Sequence, residues 1–252
     1  MNEQKIRNSI ESIIDTLTKY GVETKSGTWQ ANQLFEDQVM LVRRNVIFTL
    51  GLTGVDLDKI GADLPWAEDH FQERVGGKPT NPGEAYKTWP YAKQTGDYMD
   101  EKVFSHTYQE RFWPKEAGRK PRIYGIRYEI GDLQDVINQL KENPLTRQAY
   151  LPIFFPEDTG AVHKQRVPCT LGYYFWIEEG VLHMNYTIRS CDAMRHFRND
   201  IYLTLRLLEY VAQQLDLIPG ETTFIIFNFH VFKNDLFALK KKELKIWKEF
   251  HG

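Results

Sequence analysis

Apolar side chains repeat along the chain with two periods, and the switches between them predict its elements. Ile6, Ile10, Ile13, Ile14 and Leu17 recur at helical spacing with Gly21 as a stop, which predicts an amphipathic helix over residues 3–19. Residues 38–50 (QVMLVRRNVIFTL) read as a strand, residues 51–61 as a turn-rich connection, and Leu64-Pro65-Trp66 as a helix start with proline near its first turn. Leu133, Val136, Ile137 and Leu140 share one face of a helix over 132–144 that Asn143-Pro144 closes, and a strand follows over 149–155. Ile201, Leu205, Leu208, Val211, Ala212 and Leu215 trace the broad stripe of a core helix, expected to end near Pro219-Gly220. Residues 222–232 (TTFIIFNFHVF) then make a nearly continuous buried strand.

The strongest short-range pattern is a hairpin. Residues 171–177 (LGYYFWI) and 181–188 (VLHMNYTI) are rich in aromatic and β-branched side chains, and Glu178-Glu179-Gly180 breaks them. Taken as a three-residue loop, the break sets Ile177 opposite Val181, and counting back along the ladder sets Cys169 opposite Arg189. Directly opposite residues lie about 4.5–5.5 Å apart, so a guanidinium would sit beside a thiol. That matters because the thiolate is the nucleophile, and a neighbouring cation favours it over a thiol whose ordinary pKa is about 8.5. On the hairpin alone Cys169 reads equally as a small buried hydrophobe.

Composition narrows the classes. With 42% hydrophobic and 26% charged residues among 252, the chain is ordinary for one globular domain spanning residues 1–252. A net charge of −2 gives no electrostatic reason to expect nucleic-acid binding. No apolar run is long enough to cross a membrane, and the first residues have no signal-peptide core. Two cysteines imply no disulfide framework, so a cytoplasmic location is expected, and no metal is. Residues 75–100, rich in Gly, Pro, Asn, Lys and Asp, suggest an irregular lid-like insertion.

Pro168-Cys169-Thr170 is followed by Arg189-Ser190-Cys191-Asp192 and then by Asp200. This order resembles the thymidylate synthase family. Together with Phe197-Arg198-Asn199-Asp200 it is most similar to the deoxycytidylate 5-hydroxymethylase branch. The resemblance implies an α/β (α+β) fold with a large mixed sheet packed by helices, and a sheet-mediated homodimer. It implies Cys169 as nucleophile, Asp200 as reader of the base, and Glu68 as the group that handles protons, with Glu73 a competing choice. Lys25, Arg189, Ser190 and, in trans from the other subunit, Arg147 would hold the phosphate of a pyrimidine nucleoside monophosphate. His230 would bind the sugar, and Tyr108 would lie near the nucleophile. Asp192, Trp89 and His196 would border 5,10-methylenetetrahydrofolate. Four positions depart from the family pattern: Gln109 and His196 stand for glycines, Gln148 for an arginine and Phe232 for a tyrosine.

The chemistry these residues support is covalent catalysis. A thiolate adding at C6 of a pyrimidine turns C5 into a nucleophile able to attack a one-carbon unit. Uracil offers a ring N–H and a carbonyl, which suit an amide; cytosine offers a bare ring nitrogen and an amino group, which suit a carboxyl. Asp200 therefore points to dCMP or CMP over dUMP. Hydroxymethyl transfer is the expected reaction, with methyl transfer or a non-catalytic nucleotide-binding homologue as the alternatives.

Overall fold

The computed structural model describes residues 3–25, 39–89, 99–100, 102–117, 131–159, 167–232 and 235. Its elements run α1 (Glu3–Tyr20), β1 (Val22–Lys25), β2 (Val39–Gly51), α2 (Trp66–Val75), β3 (Met99–Asp100), β4 (Val103–Phe104), α3 (Tyr108–Phe112), α4 (Pro114–Ala117), α5 (Leu133–Glu142), β5 (Tyr150–Pro152), β6 (Thr170–Glu178), β7 (Val181–Ile188), β8 (Cys191–Asp192), α6 (Phe197–Leu215) and β9 (Ile218–Phe232). Short 3-10 turns cover Leu57–Lys59, Ala85–Thr88 and Pro156–Asp158.

The hairpin forms, but with a two-residue turn instead of the three-residue loop. Glu179 and Gly180 take φ of 50° and 77°, the doubly left-handed turn whose twist matches that of antiparallel strands. Glu178 therefore faces Val181, one residue off the predicted register. The inner face decides this: the observed pairing sets buried Phe175 against Met184 and buried Tyr173 against Tyr186. The predicted pairing would have set Phe175 against His183, which points to the other face. A bulge between Thr170 and Gly172 then absorbs one residue, so that Thr170 faces Ile188 and the Arg189 amide donates to the Cys169 carbonyl at 2.9 Å. Cys169 and Arg189 thus pair through their backbones, by a different route from the predicted one.

β9 is the spine of a seven-stranded mixed sheet of order β1-β2-β9-β7-β6-β5. Along one edge it pairs antiparallel with β2; along the other it runs parallel first to β7 and then to β8. It begins at Ile218, so Pro219 and Gly220, expected to end the preceding helix, lie inside the strand. The helix stops earlier, at Asp216 in the left-handed conformation (φ 56°). Gly220 is needed for packing instead: a Cβ there would fall 2.6 Å from Val181 Cγ1.

Helices cover one face of the sheet. Ile10, Ile14 and Leu17 of α1, the predicted stripe of α5 and most of α6 join a single core with Phe224, Ile226 and Phe229 of β9. Phe48 stacks on Phe224 at 4.8 Å, and Phe197 meets Phe229 edge-on at 4.8 Å. The opposite face is left without helices among the described residues. It presents Ile47 (62% exposed), Phe227 (40%), Thr49, Ile225, Tyr174, and Trp176 stacked on His183 at 5.3 Å.

Within the expected insertion, the described residues 75–89 are pinned to the body. The Glu73 carboxylate accepts from the amides of Glu84 and Ala85 at 2.6 and 2.9 Å and from Gln109 Nε2 at 2.8 Å. Asn81 bridges Phe104 and Glu110. Gln109, a departure from the family pattern, thus has a structural employment, and so does Glu73.

Candidate active site

β7 and β8 lie end to end beside β9, so the turn between them, Arg189-Ser190, is clamped at both ends. Asn228 Nδ2 adds a 2.8 Å bond to the Arg189 carbonyl. The Arg189 guanidinium reaches back across the hairpin, donating from Nε to the Pro168 carbonyl (2.9 Å) and from Nη2 to the Val167 carbonyl (3.0 Å). It therefore fixes the backbone that carries Cys169. Cys169 is half-buried, and no disulfide joins it to Cys191.

Next to Cys169, the Thr170 hydroxyl bonds to the hydroxyls of Tyr108 (3.2 Å) and Tyr186 (3.0 Å). Burial, with the negative charge of Cys169 and Asp200 nearby and Arg74 opposing, raises the Tyr108 pKa, so its O–H stays a donor. Asp200 projects from the first turn of α6, where Cys191 Sγ donates to its Oδ2 at 3.3 Å. Burial pushes the Asp200 carboxyl up to about 6, against the pull of the Cys191 bond and of Arg74 and helped by Asp192. The Cys191 thiol, 2% exposed, is itself pushed well up by burial and Asp200, so it remains an S–H donor. A carboxyl with this pKa exchanges a proton near neutrality, as a general acid must.

Of the segment Phe197-Arg198-Asn199-Asp200, only Asp200 joins this group. Phe197 is core, Arg198 pairs with Glu11, and Asn199 makes two 2.8 Å bonds to Asp63.

Glu68 is placed elsewhere in the network. Both of its oxygens accept from Arg206 (2.9 and 3.0 Å), and Tyr202 and Gln72 complete its partners on the seam between α2 and α6. Burial alone would raise its pKa, but these bonds outweigh it and hold the carboxylate below its ordinary value. A carboxylate so committed is a poor proton carrier. The α2 side chains that point toward Tyr108 are His70 and Arg74: Arg74 Cζ stands 4.0 Å from the Tyr108 ring, and Arg74 Nη2 lies 2.9 Å from His70 Nε2. Neither was singled out in the sequence, although their i, i+4 spacing puts them on one helix face.

The remaining expected residues divide by location. Lys25 ends β1 with its side chain exposed, and Ser26 and Gly27 beyond it lie outside the described residues. Arg147 and Gln148 are exposed just before β5, at the rim of the sheet. Ser190 is half-buried beside Arg189. His230, 7% exposed, is held below its ordinary pKa by burial, with Asp192 opposing, and meets Phe232 edge-on at 5.6 Å.

Asp192, Trp89 and His196 gather on one side. Asp192 Oδ1 accepts from the amides of Met194 and Arg195 (2.9 and 3.1 Å), while Oδ2 faces Arg195 Nε at 3.9 Å. His196 stacks on Trp89 (5.9 Å), which in turn neighbours Trp66 (6.1 Å), and Trp66 stacks on His70 (5.2 Å). The imidazole that replaces a family glycine thus ends a ladder of four rings.

Residues 83–251 match the family model described as thymidylate synthase. A protein of Methanosarcina mazei described as "Putative thymidylate synthase" is 27% identical over 178 residues, 71% of this chain and 68% of the relative. A thymidylate synthase of Buchnera aphidicola is 28% identical over 144 residues, 53% of each. In structure the chain is similar to the thermostable thymidylate synthase A from Bacillus subtilis, with a TM-score of 0.68 at 15% identity, covering 93% of this chain and 82% of that one.

Proposed function

Because this chain belongs to the thymidylate synthase family of one-carbon transferases, we propose that it acts on a cytosine nucleotide, dCMP or CMP, and installs a hydroxymethyl group at C5. The observation that carries this is the Asp200 carboxyl, whose pKa of about 6 lets it meet the ring nitrogen as a donor.

Cys169 adds to C6, on a strand end whose backbone Arg189 fixes by two bonds. Asp200 gives its proton toward N3 as the ring takes up negative charge, and the carboxylate so formed accepts from the amino group. Lys25, Arg189, Ser190 and a partner subunit's copy of Arg147 anchor the phosphate at the inert end of the substrate, which fixes the base over the thiol. His230 would meet the sugar, and Tyr108 and Thr170 supply hydroxyls beside the nucleophile.

The residues expected to border 5,10-methylenetetrahydrofolate fit a flat ring bearing N–H donors: among the described residues Asp192 Oδ2 has no hydrogen bond of ordinary length, and Trp89 and His196 bring aromatic rings beside it. When bound, that cofactor supplies the electrophilic one-carbon unit. Asp192 would hold it by its N–H groups and the ring ladder by stacking.

Product mass tests the reading. After incubation of dCMP and CMP with methylenetetrahydrofolate, the nucleotide is expected to gain one CH2O without release of dihydrofolate. A gain of one CH2 with dihydrofolate formation would make the enzyme a methyltransferase and end the hydroxymethyl proposal.

The helix-free sheet face supports a homodimer. Ile47, Ile225, Phe227, Tyr174 and Trp176 form an apolar surface of the kind that subunits bury against each other. Phe227→Glu is expected to convert the dimer to a monomer in light scattering, with catalysis lost because Arg147 acts in trans. A wild-type protein that is monomeric at micromolar concentration would contradict this arrangement.

A further inference from the structure

Asp200 is half-buried, and among the described residues its carboxyl has one hydrogen-bond partner, Cys191 Sγ at 3.3 Å from Oδ2. Oδ1 has none. The same thiol has an alternative acceptor in the Asp192 carbonyl at 3.9 Å, and the shorter contact, to the oxygen that can carry charge, takes its single hydrogen. Both ends of the bond are held by structure that does not depend on it. Cys191 is 2% exposed in β8, opposite Phe229 of β9, and Asp200 is fixed in the first turn of α6, where its amide donates to the His196 carbonyl at 2.8 Å. Burial and Asp200 keep the Cys191 thiol protonated, and sulfur accepts only weakly, so Cys191 is the donor of this pair.

We propose that Cys191 is the positioning residue of the base reader: its S–H, given to Oδ2, leaves Oδ1 as the oxygen that carries the carboxyl proton. The inference rests on the reading of Asp200 as the group that meets a cytosine edge. A carboxyl without such a partner carries its proton on either oxygen, so it offers donor and acceptor in either order. Cytosine sets a bare ring nitrogen beside an amino group and accepts one order alone, with the O–H toward the ring nitrogen and the other oxygen toward the amino hydrogens. With Oδ2 marked as the acceptor, Asp200 presents that order before the substrate arrives. The thiol and the amino group then share Oδ2, whose lone pairs suffice for both. The charged and titratable groups that face Asp200 are Cys191 and Asp192 of β8, Arg74 of α2, Tyr108 of α3, Tyr173 of β6 and Tyr186 of β7. Of these, Cys191 is the one that bonds to the carboxyl.

Two readouts test this without substrate or cofactor. In Cys169→Ala, where Cys191 is the only remaining thiol, the Raman S–H stretch is expected to move to lower frequency as pH rises through about 6, because a carboxylate draws on the hydrogen more strongly than a carboxyl does. In NMR of carboxyl-labelled aspartate, with the Asp200 signal assigned by its loss in Asp200→Asn, Cys191→Ala is expected to raise the Asp200 midpoint by about half a unit to one unit, since the lost donor favoured the ionised form. Cys191→Ser, which adds a donor to a side chain of nearly alanine's size, is expected to recover most of that shift. A merely structural role would move both variants alike. An S–H stretch that ignores pH, an unchanged midpoint in Cys191→Ala, or equal shifts in the two variants overturns the proposal, and the Raman result decides if Cys191→Ala does not fold. Turnover tests the underlying reading separately: the alkaline limb of the pH profile for dCMP should follow the NMR midpoint in Cys191→Ala. A limb that stays in place while the midpoint moves would refute Asp200 as base reader, and with it the role given to Cys191, although the bond itself would stand.

Discussion

Cys169→Ala is expected to lose C5 exchange and product formation by on the order of 10^4-fold or more, the scale seen when a covalent nucleophile is removed. No other group can take over. Cys191 is 2% exposed, its thiol is pushed well up and its S–H is committed to Asp200, so it supplies no thiolate. The fold should survive, since Cys169 is half-buried at a strand end and the bonds that fix the strand are donated by Arg189 to the Pro168 and Val167 carbonyls, which the substitution leaves in place. Nucleotide binding, measured calorimetrically, is therefore expected to persist while turnover vanishes. Retained turnover would mean that the chemistry does not pass through a thiol adduct.

Asp200→Asn is the second large effect, expected to lower kcat/KM for dCMP by about 10^2–10^4-fold and to raise it for dUMP. An amide presents a fixed donor and acceptor that match the uracil edge, and it has no proton to give to a cytosine ring nitrogen. The pH profile carries a second signature. The Asp200 pKa is raised to about 6, so the protonated form dominates below that pH and declines tenfold per unit above it. The wild type acting on a cytosine nucleotide should show an alkaline limb from this group. In Asp200→Asn that limb should be gone, and its persistence would assign it to another residue.

The elements with strong periodicity were legible in the sequence: α1, α5, α6, β2 and the hairpin all stand where the apolar pattern put them. The errors came where long-range packing overrode a local signal. Gly220 looked like a helix stop, but it is required by the close approach of β7. The hairpin register depended on which side chains share the inner face, and the bulge before Gly172 has no local signature in the sequence. The contiguous motifs fall on the turn from Arg189 to Asp192 and on Asp200 in the first turn of α6. Glu68 was legible only as a glutamate at the start of a helix. Its capture by Arg206 and Tyr202, more than 130 positions along the chain, depends on how α2 and α6 pack. For the same reason Arg74 looked like an ordinary helical arginine until the fold buried it against Tyr108.

The most direct test of the central claim is tritium release from C5-labelled dCMP, CMP and dUMP, each with and without methylenetetrahydrofolate. The account predicts release from a cytosine nucleotide, dependent on the cofactor, with dUMP a poor substrate. Release from dUMP alone would contradict the assignment of the base. Absence of release from all three, with nucleotides still bound, would contradict attack at C6 altogether.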